Sequence, residues 1–160
     1  MKRLFYTSIL LTVLFTGFIF SNSMQSKSES LQTSAFLTDV FRSVIDWFFD
    51  DVGGIDVSLL VRKIAHFVEF AALGSAVGML LVSLKKLWNR TFYGFGLFYL
   101  ISVAVSDEFI QKFFDRGSSV SDIVLDFSGA VFGVVFVLLI KTTYICFRKR
   151  KITLDENSIK

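Results

Sequence analysis

The sequence lacks the residues on which disulfide scaffolds and most zinc proteins depend. It has one cysteine, Cys146, one histidine, His66, and no proline in 160 residues. A single cysteine excludes an internal disulfide, and one cysteine with one histidine excludes a conventional zinc site. A nucleophile-elbow serine and a multi-histidine phosphatase pattern are also absent. We therefore expect no metal and no cofactor. The absence of these catalytic patterns also argues against an enzyme.

Three long stretches carry no charged residue, and a fourth has only His66 and Glu69 as ionisable groups. This pattern predicts a membrane protein. The chain is 53% hydrophobic, and its apolar residues form blocks at residues 4–20, 64–84, 91–106 and 127–140. A helix needs roughly 20 residues to cross the hydrocarbon core of a bilayer. The last two blocks are shorter than this. They span a membrane only by including the flanking acids or, for the fourth, by extending past Lys141.

The predicted fold is an all-α membrane protein, with four transmembrane helices in one bundle and a short amphipathic extracytoplasmic helix. We place the transmembrane helices at residues 1–20, 61–84, 91–114 and 120–140. The extracytoplasmic segment 21–60 carries the amphipathic helix at 34–50, and residues 141–160 form a basic cytoplasmic tail. A cleaved signal peptide is the alternative for residues 1–23. We favour a retained helix because the apolar stretch is longer than a typical signal h-region.

The distribution of cations predicts the orientation of the chain. Basic residues precede the first block, separate the second from the third, and follow the fourth, whereas residues 21–58 contain two cations against six acids. The positive-inside rule then places both termini in the cytoplasm, with the chain crossing the membrane several times. The net charge of +3 is thus a topology signal. The expected partner is the lipid bilayer and not nucleic acid, and no oligomeric state is predicted.

Ionisable residues gather where three of the predicted spans meet the outer boundary of the membrane. Arg62, His66 and Glu69 are spaced i, i+4, i+7, which puts them on one face of a helix. Acids end the third span and begin the fourth at the same depth. The predicted polar pocket comprises Arg62, Lys63, His66, Glu69, Asp107, Glu108, Gln111, Arg116, Asp122 and Asp126. Either these groups form a pocket that opens to the outer leaflet, or they are interhelical pairs that brace the bundle.

Small residues continue the acidic stripe of the fourth span. Gly129 and Gly133, with Ala130 beside them, are spaced to let a neighbouring helix approach closely. Ser121 or a neighbouring serine is predicted to cap the N-terminus of this helix.

Two segments resemble the VanZ-like family of bacterial membrane proteins: "RKIAHFVEFAALG" at 62–74 and "SDEFIQKFFDRGSSVSDIVLDFSGAVFG" at 106–133. The matching positions are Lys63, His66, Phe67, Glu69, Asp107, Glu108, Gln111, Phe113, Arg116, Asp122, Gly129, Ala130 and Gly133. Family members carry Asn or Asp at the position of Asp126. Phe70 replaces the usual aromatic hydroxyl, and Phe114-Asp115 replaces a common Pro-Gly. The resemblance covers residues 15–140.

The resemblance implies an envelope protein that lowers susceptibility to teicoplanin-type glycopeptides. In the first hypothesis, the pocket binds a lipid-linked cell-wall precursor or a glycopeptide, and cations such as Arg62, Lys63, Lys112 and Arg116 meet a pyrophosphate. No catalytic residue is assigned in this hypothesis.

A membrane-embedded enzyme acting on an isoprenoid-phosphate or phospholipid substrate is the alternative. His66 and Glu69, with Glu108 or Asp122, would supply its acid–base chemistry, and a carboxylate-rich patch would hold Mg²⁺. A transporter ranks last, because the inner halves of the predicted helices have almost no polar groups.

Overall fold

The computed structural model describes residues 2–25, 39, 57–114 and 119–158. These residues form the helices α1 (Lys2–Ser23), α2 (Val57–Trp88), α3 (Tyr93–Phe113) and α4 (Val120–Ser158), with no strand among them. All four contain a stretch that is long and apolar enough to cross a membrane. The predicted all-α fold with four membrane-spanning helices is thereby confirmed. Of the predicted amphipathic helix at 34–50, only Asp39 is among the described residues; it is helical and exposed.

The ends of the helices follow from local chemistry. α2 ends at Trp88, and Asn89 has a φ of 53°, a left-handed conformation that asparagine tolerates better than most residues. Ser119 caps α4, because its Oγ accepts the backbone N–H of Ser121 at 3.2 Å. α4 continues well past Lys141, so the short fourth apolar block belongs to a helix of ample length.

The core is a stripe of apolar residues on α2 that faces the other three helices. Phe70, Leu73, Val77 and Leu81 are buried at helical spacing. They pack with Ile19 of α1, with Leu100, Val103 and Ala104 of α3, and with Ala130 and Val134 of α4. Large apolar side chains such as Phe95, Phe98 and Phe132 point outward. In a bilayer this outward surface contacts lipid, so its exposure carries no hydrophobic penalty.

Glycines bring the backbones of α2 and α4 into direct contact, in what we call the small-residue seam. The contacts pair Gly74 with the backbone of Ala130, Gly129 with that of Phe67, and Gly133 with that of Ala71. A Cβ atom at any of these glycines would overlap backbone atoms of the facing helix, which cannot turn aside as a flexible side chain can. The predicted close approach at Gly129 and Gly133 is therefore present, and α2 is the helix that approaches.

Gly133→Ala is expected to destabilise the bundle, because the added methyl group forces α2 and α4 apart. Overpacking of this kind costs about 1–3 kcal/mol. Gly17→Ala is the matched control, since a Cβ at Gly17 meets no atom within 4 Å. We expect a lower apparent Tm in detergent for Gly133→Ala, and an unchanged or slightly higher one for Gly17→Ala. A Gly133→Ala protein that melts at or above the wild-type temperature would contradict the seam.

Candidate functional site

The helices alternate in direction, so one end of the bundle collects the polar groups. α1 and α3 finish there and α2 and α4 begin there, and we call this the polar end. A cleft of about 260 Å³ lies at this end between α2, α3 and α4. It is lined by Arg62, Lys63, His66, Glu108, Gln111, Asp122, Leu125 and Asp126. The cleft is narrow and has room for about one water molecule or one ion.

His66 faces two buried carboxylates, one of which, Asp126, lines the cleft with it. Its Nδ1 atom is 3.9 Å from Oδ2 of Asp107 and 3.9 Å from Oδ1 of Asp126. Asp107 is 0% exposed and Asp126 is 1% exposed. These three residues, which we call the His66 cluster, come from three different helices, and their ligand atoms all lie within 4.8 Å of one another. Separations of 3.9 Å are too long for hydrogen bonds.

Asp107 is held in place by donors from two helices. Ser23 Oγ of α1 donates a hydrogen bond to Asp107 Oδ1. Gln111 Nε2, one turn further along α3, donates to Asp107 Oδ2 at 2.8 Å. Each oxygen of this buried carboxylate thus accepts at least one hydrogen bond, which fixes its orientation toward His66.

Asp126 has no such support. Neither of its carboxylate oxygens accepts a hydrogen bond from the described part of the chain, although the residue is buried. Leaving a buried polar group without a hydrogen bond costs on the order of 1–3 kcal/mol, and more for a charged group. Among the described residues, Asp126 is therefore the member of the cluster whose carboxylate receives no hydrogen bond.

The rim of the cleft carries the cations. Lys63 Nζ is 3.3 Å from Asp122 Oδ1, and the Lys63 side chain is 39% exposed. Water reaches this pair, so it adds at most about 1 kcal/mol to stability. Arg62 lines the cleft beside it, and Lys112 is exposed. The rim cations are thus available to a ligand at modest energetic cost.

Glu108 links α3 to α4. Its Oε2 atom accepts the backbone N–H of Ser119 at 3.0 Å, and Ser119 is the residue that caps α4. The two helices are therefore fastened at the polar end, close to Asp122 and Asp126 on the first turns of α4.

Glu69 contacts α1 and does not line the cleft with Arg62 and His66. Glu69 Oε1 accepts a hydrogen bond from Asn22 Nδ2 of α1 at 2.9 Å, and Glu69 is not among the described residues that line the cleft. Arg116 lies outside the described residues. The other predicted pocket members either line the cleft or, in the case of Asp107, belong to the His66 cluster.

Sequence reasoning missed two residues of α1, Asn22 and Ser23. Both hold acids of the polar end, Asn22 through Glu69 and Ser23 through Asp107. The available signal was a polar "SNS" directly after the first apolar block, at the depth of the other polar groups. The stretch also offers the small residues of a possible cleavage site, and periodicity within one helix does not predict its side chains as partners for acids on other helices.

A family profile described as VanZ/LLP1 matches residues 4–141. The match begins in the first turn of α1 and includes α2, α3 and most of α4, so the complete His66 cluster lies inside it. No curated protein and no solved structure matches the chain significantly. The matched region is far more than half of the chain and agrees with the resemblance carried by residues 62–74 and 106–133. The chain therefore belongs to the VanZ/LLP1 family and is a multi-pass helical membrane protein.

Proposed function

We propose that this protein resides in the bacterial cytoplasmic membrane with its polar end outward, where it binds the anionic head group of a lipid-linked cell-wall precursor. Through this binding it lowers susceptibility to teicoplanin-type glycopeptides. The observation that carries the proposal is the pair of cations Arg62 and Lys63 at the mouth of the cleft, where a head group meets them without entering the narrow space behind. Membership of the VanZ/LLP1 family supports the link to these antibiotics.

The position of the rim cations suits a lipid head group. Arg62 and Lys63 stand on the second turn of α2, where long side chains reach the interface while their stems stay against apolar surface. The guanidinium of Arg62 can donate two parallel hydrogen bonds to a phosphate, and Lys63 adds a compact charge. A pyrophosphate attached to an isoprenoid tail would bring its charge to this depth and leave its tail in the bilayer.

The exposed cations at the opposite end of the bundle support the proposed orientation. Lys85, Lys86 and Arg90 lie at the end of α2 and in the turn to α3, and all are exposed. Cations in short loops favour the cytoplasmic side. The polar end then faces the side on which glycopeptides and exported precursors are found.

The sole cysteine of the chain makes the orientation testable. Cys146 is exposed on α4 beyond the apolar stretch, so the proposal places it in the cytoplasm. A membrane-impermeant maleimide should leave Cys146 unlabelled in intact cells and label it after permeabilisation. In a Cys146→Ser background, Ser121→Cys at the exposed start of α4 should be labelled in intact cells. The reverse labelling pattern would overturn the orientation.

Arg62→Ala is expected to weaken binding of a polyprenyl-pyrophosphate-linked precursor. Loss of a charge-assisted hydrogen bond costs about 1.5–3 kcal/mol, which corresponds to roughly a ten- to hundredfold higher Kd. The measurement is a titration of purified protein in nanodiscs. Teicoplanin susceptibility of a deletion strain complemented with each variant gives the cellular readout, and Arg62→Ala should fail to restore the wild-type level.

Arg90→Ala is the matched control for this titration, because Arg90 is an exposed arginine at the opposite end of the bundle. It should bind and complement as wild type does. If folded Arg62→Ala protein binds the precursor as tightly as wild type does, the rim cations are not part of the binding site. If folded wild-type protein does not bind the precursor, the proposed binding function is wrong.

A second candidate function, hydrolysis of an isoprenoid pyrophosphate or a phospholipid, is favoured by the His66 cluster. A histidine that faces two buried carboxylates is a suitable general base or acid, and such groups contribute typically 10²–10⁴-fold to a rate.

If the protein is an enzyme, purified protein should release phosphate from polyprenyl pyrophosphate, and Asp126→Asn should lower the rate at least about 100-fold. Asp39→Asn, at an exposed acid, should have no effect. Wild-type protein that binds the lipid and leaves it unchanged over hours would exclude this candidate.

A further inference from the structure

We propose that His66, Asp107 and Asp126 bind one divalent cation of the Mn²⁺ or Zn²⁺ class at the floor of the cleft. The further step, in which this cation receives a phosphate oxygen of the head group, rests on the proposed function. The sequence predicts no metal from its cysteine and histidine content, and a carboxylate patch for Mg²⁺ enters only with the enzyme alternative. The structure brings together one nitrogen and two carboxylates from α2, α3 and α4.

The distances in the cluster suit a shared ion better than direct pairing. His66 Nδ1 lies 3.9 Å from an oxygen of each carboxylate. Bonds from Zn²⁺ to nitrogen and oxygen ligands are about 2.0–2.2 Å, so the ligand atoms of a tetrahedral ion lie about 3.3–3.6 Å apart. Side-chain shifts of a few tenths of an ångström would bring the two observed pairs to that spacing. The same 3.9 Å separations exceed the length of any hydrogen bond. The cleft that His66 and Asp126 line has room for about one ion.

The two carboxylates differ in a way that fits metal binding. Asp107 is oriented by Ser23 and Gln111, as metal-binding carboxylates are commonly held by surrounding hydrogen-bond donors. Asp126 is 1% exposed, lines the cleft, and receives no hydrogen bond from the described residues. A bound cation would supply the missing partner of Asp126 without disturbing Asp107.

The formal charge around the cleft also favours binding of a cation together with an anionic ligand. The cleft and the His66 cluster contain two permanent cations, Arg62 and Lys63, and four carboxylates, those of Asp107, Glu108, Asp122 and Asp126. Lys63 is already paired with Asp122. With all four acids ionised, this set has a formal charge of −2, which repels a phosphate. One divalent cation brings the set to zero and offers the phosphate a direct ligand position.

The donor set determines the class of metal. Imidazole nitrogen favours Zn²⁺ and other first-row transition ions, whereas carboxylates suit Mg²⁺, Ca²⁺ and Mn²⁺. One histidine with two carboxylates therefore favours Mn²⁺ or Zn²⁺ over Mg²⁺ and Ca²⁺. Three protein ligands leave at least one position open, which is the arrangement of metal sites that accept water or a substrate.

Direct Mn²⁺ titration tests the site without any lipid. Purified protein in detergent is freed of metal with a chelator, and the free Mn²⁺ spectrum is followed by electron paramagnetic resonance. We expect wild-type protein to bind one equivalent of Mn²⁺, and Zn²⁺ to displace it. Asp126→Asn and His66→Gln should each weaken binding at least about tenfold, and Mn²⁺ should raise the apparent Tm of wild type but of neither variant.

Asp39→Asn provides the control, since it makes the same chemical change at an exposed acid. It should bind Mn²⁺ as wild type does. The inference is overturned if folded wild-type protein binds neither Mn²⁺ nor Zn²⁺, or if Asp126→Asn and His66→Gln bind them with wild-type affinity. The latter result would mean that the acids form a diffuse patch or that His66 merely braces the helices.

A lipid-binding experiment distinguishes failure of this inference from failure of the proposed function. Binding of the pyrophosphate-linked precursor is measured with metal-loaded protein and again after chelation. We expect chelation to weaken binding at least about tenfold. Metal binding without lipid binding would leave the cation site standing and reject the proposed function. Lipid binding that survives chelation, in protein that binds no metal, would reject the cation site and leave the proposed function standing.

Discussion

The close contact between α2 and α4 is the constraint on which the rest of the structure depends. In a bilayer, lipid competes equally for apolar surface, so two helices associate through tight packing and polar contacts. The small-residue seam supplies the tight packing, and Gly129 meets the backbone of Phe67 directly. Phe67 follows His66 in the chain, and Gly129 lies one turn from Asp126. The contact that joins the helices therefore also sets the distance between His66 and Asp126.

Once α2 and α4 are joined, the other two helices complete the polar end. α3 contributes Asp107 and is fastened to α4 through Glu108 and Ser119. α1 contributes Ser23, which holds Asp107, and Ile19, which packs in the core just below it. All of these polar groups lie near the helix ends, where water can reach the rim and the cost of charge is lower than at the membrane centre. The position of the site is thus set by solvation as well as by packing.

The sequence predicted what depends on composition and missed what depends on helix rotation. Uncharged blocks predicted the four spans, and a block too short to cross the membrane indicated that Asp107 and Glu108 belong to α3. The spacing of His66 and Glu69 put both on one face, but the structure turns Glu69 toward Asn22 and His66 toward Asp107 and Asp126. Which neighbour a helix face meets depends on how α1 rotates against α2, and periodicity within one helix carries no information about that angle.

Hydrogen bonding distinguishes the acids that brace the bundle, among which Asp107 is also a proposed cation ligand, from Asp126. Glu69, Glu108 and Asp107 each accept hydrogen bonds from a neighbouring helix or loop, and these bonds hold the helices together. Asp126 does not, although serine and glutamine donors serve Asp107 a short distance away. If bracing were the only role of this end, an apolar residue of similar size at position 126 would pack against α2 without the cost of a buried carboxylate. A buried acid that braces nothing within the described chain is best explained by a partner that comes from outside it.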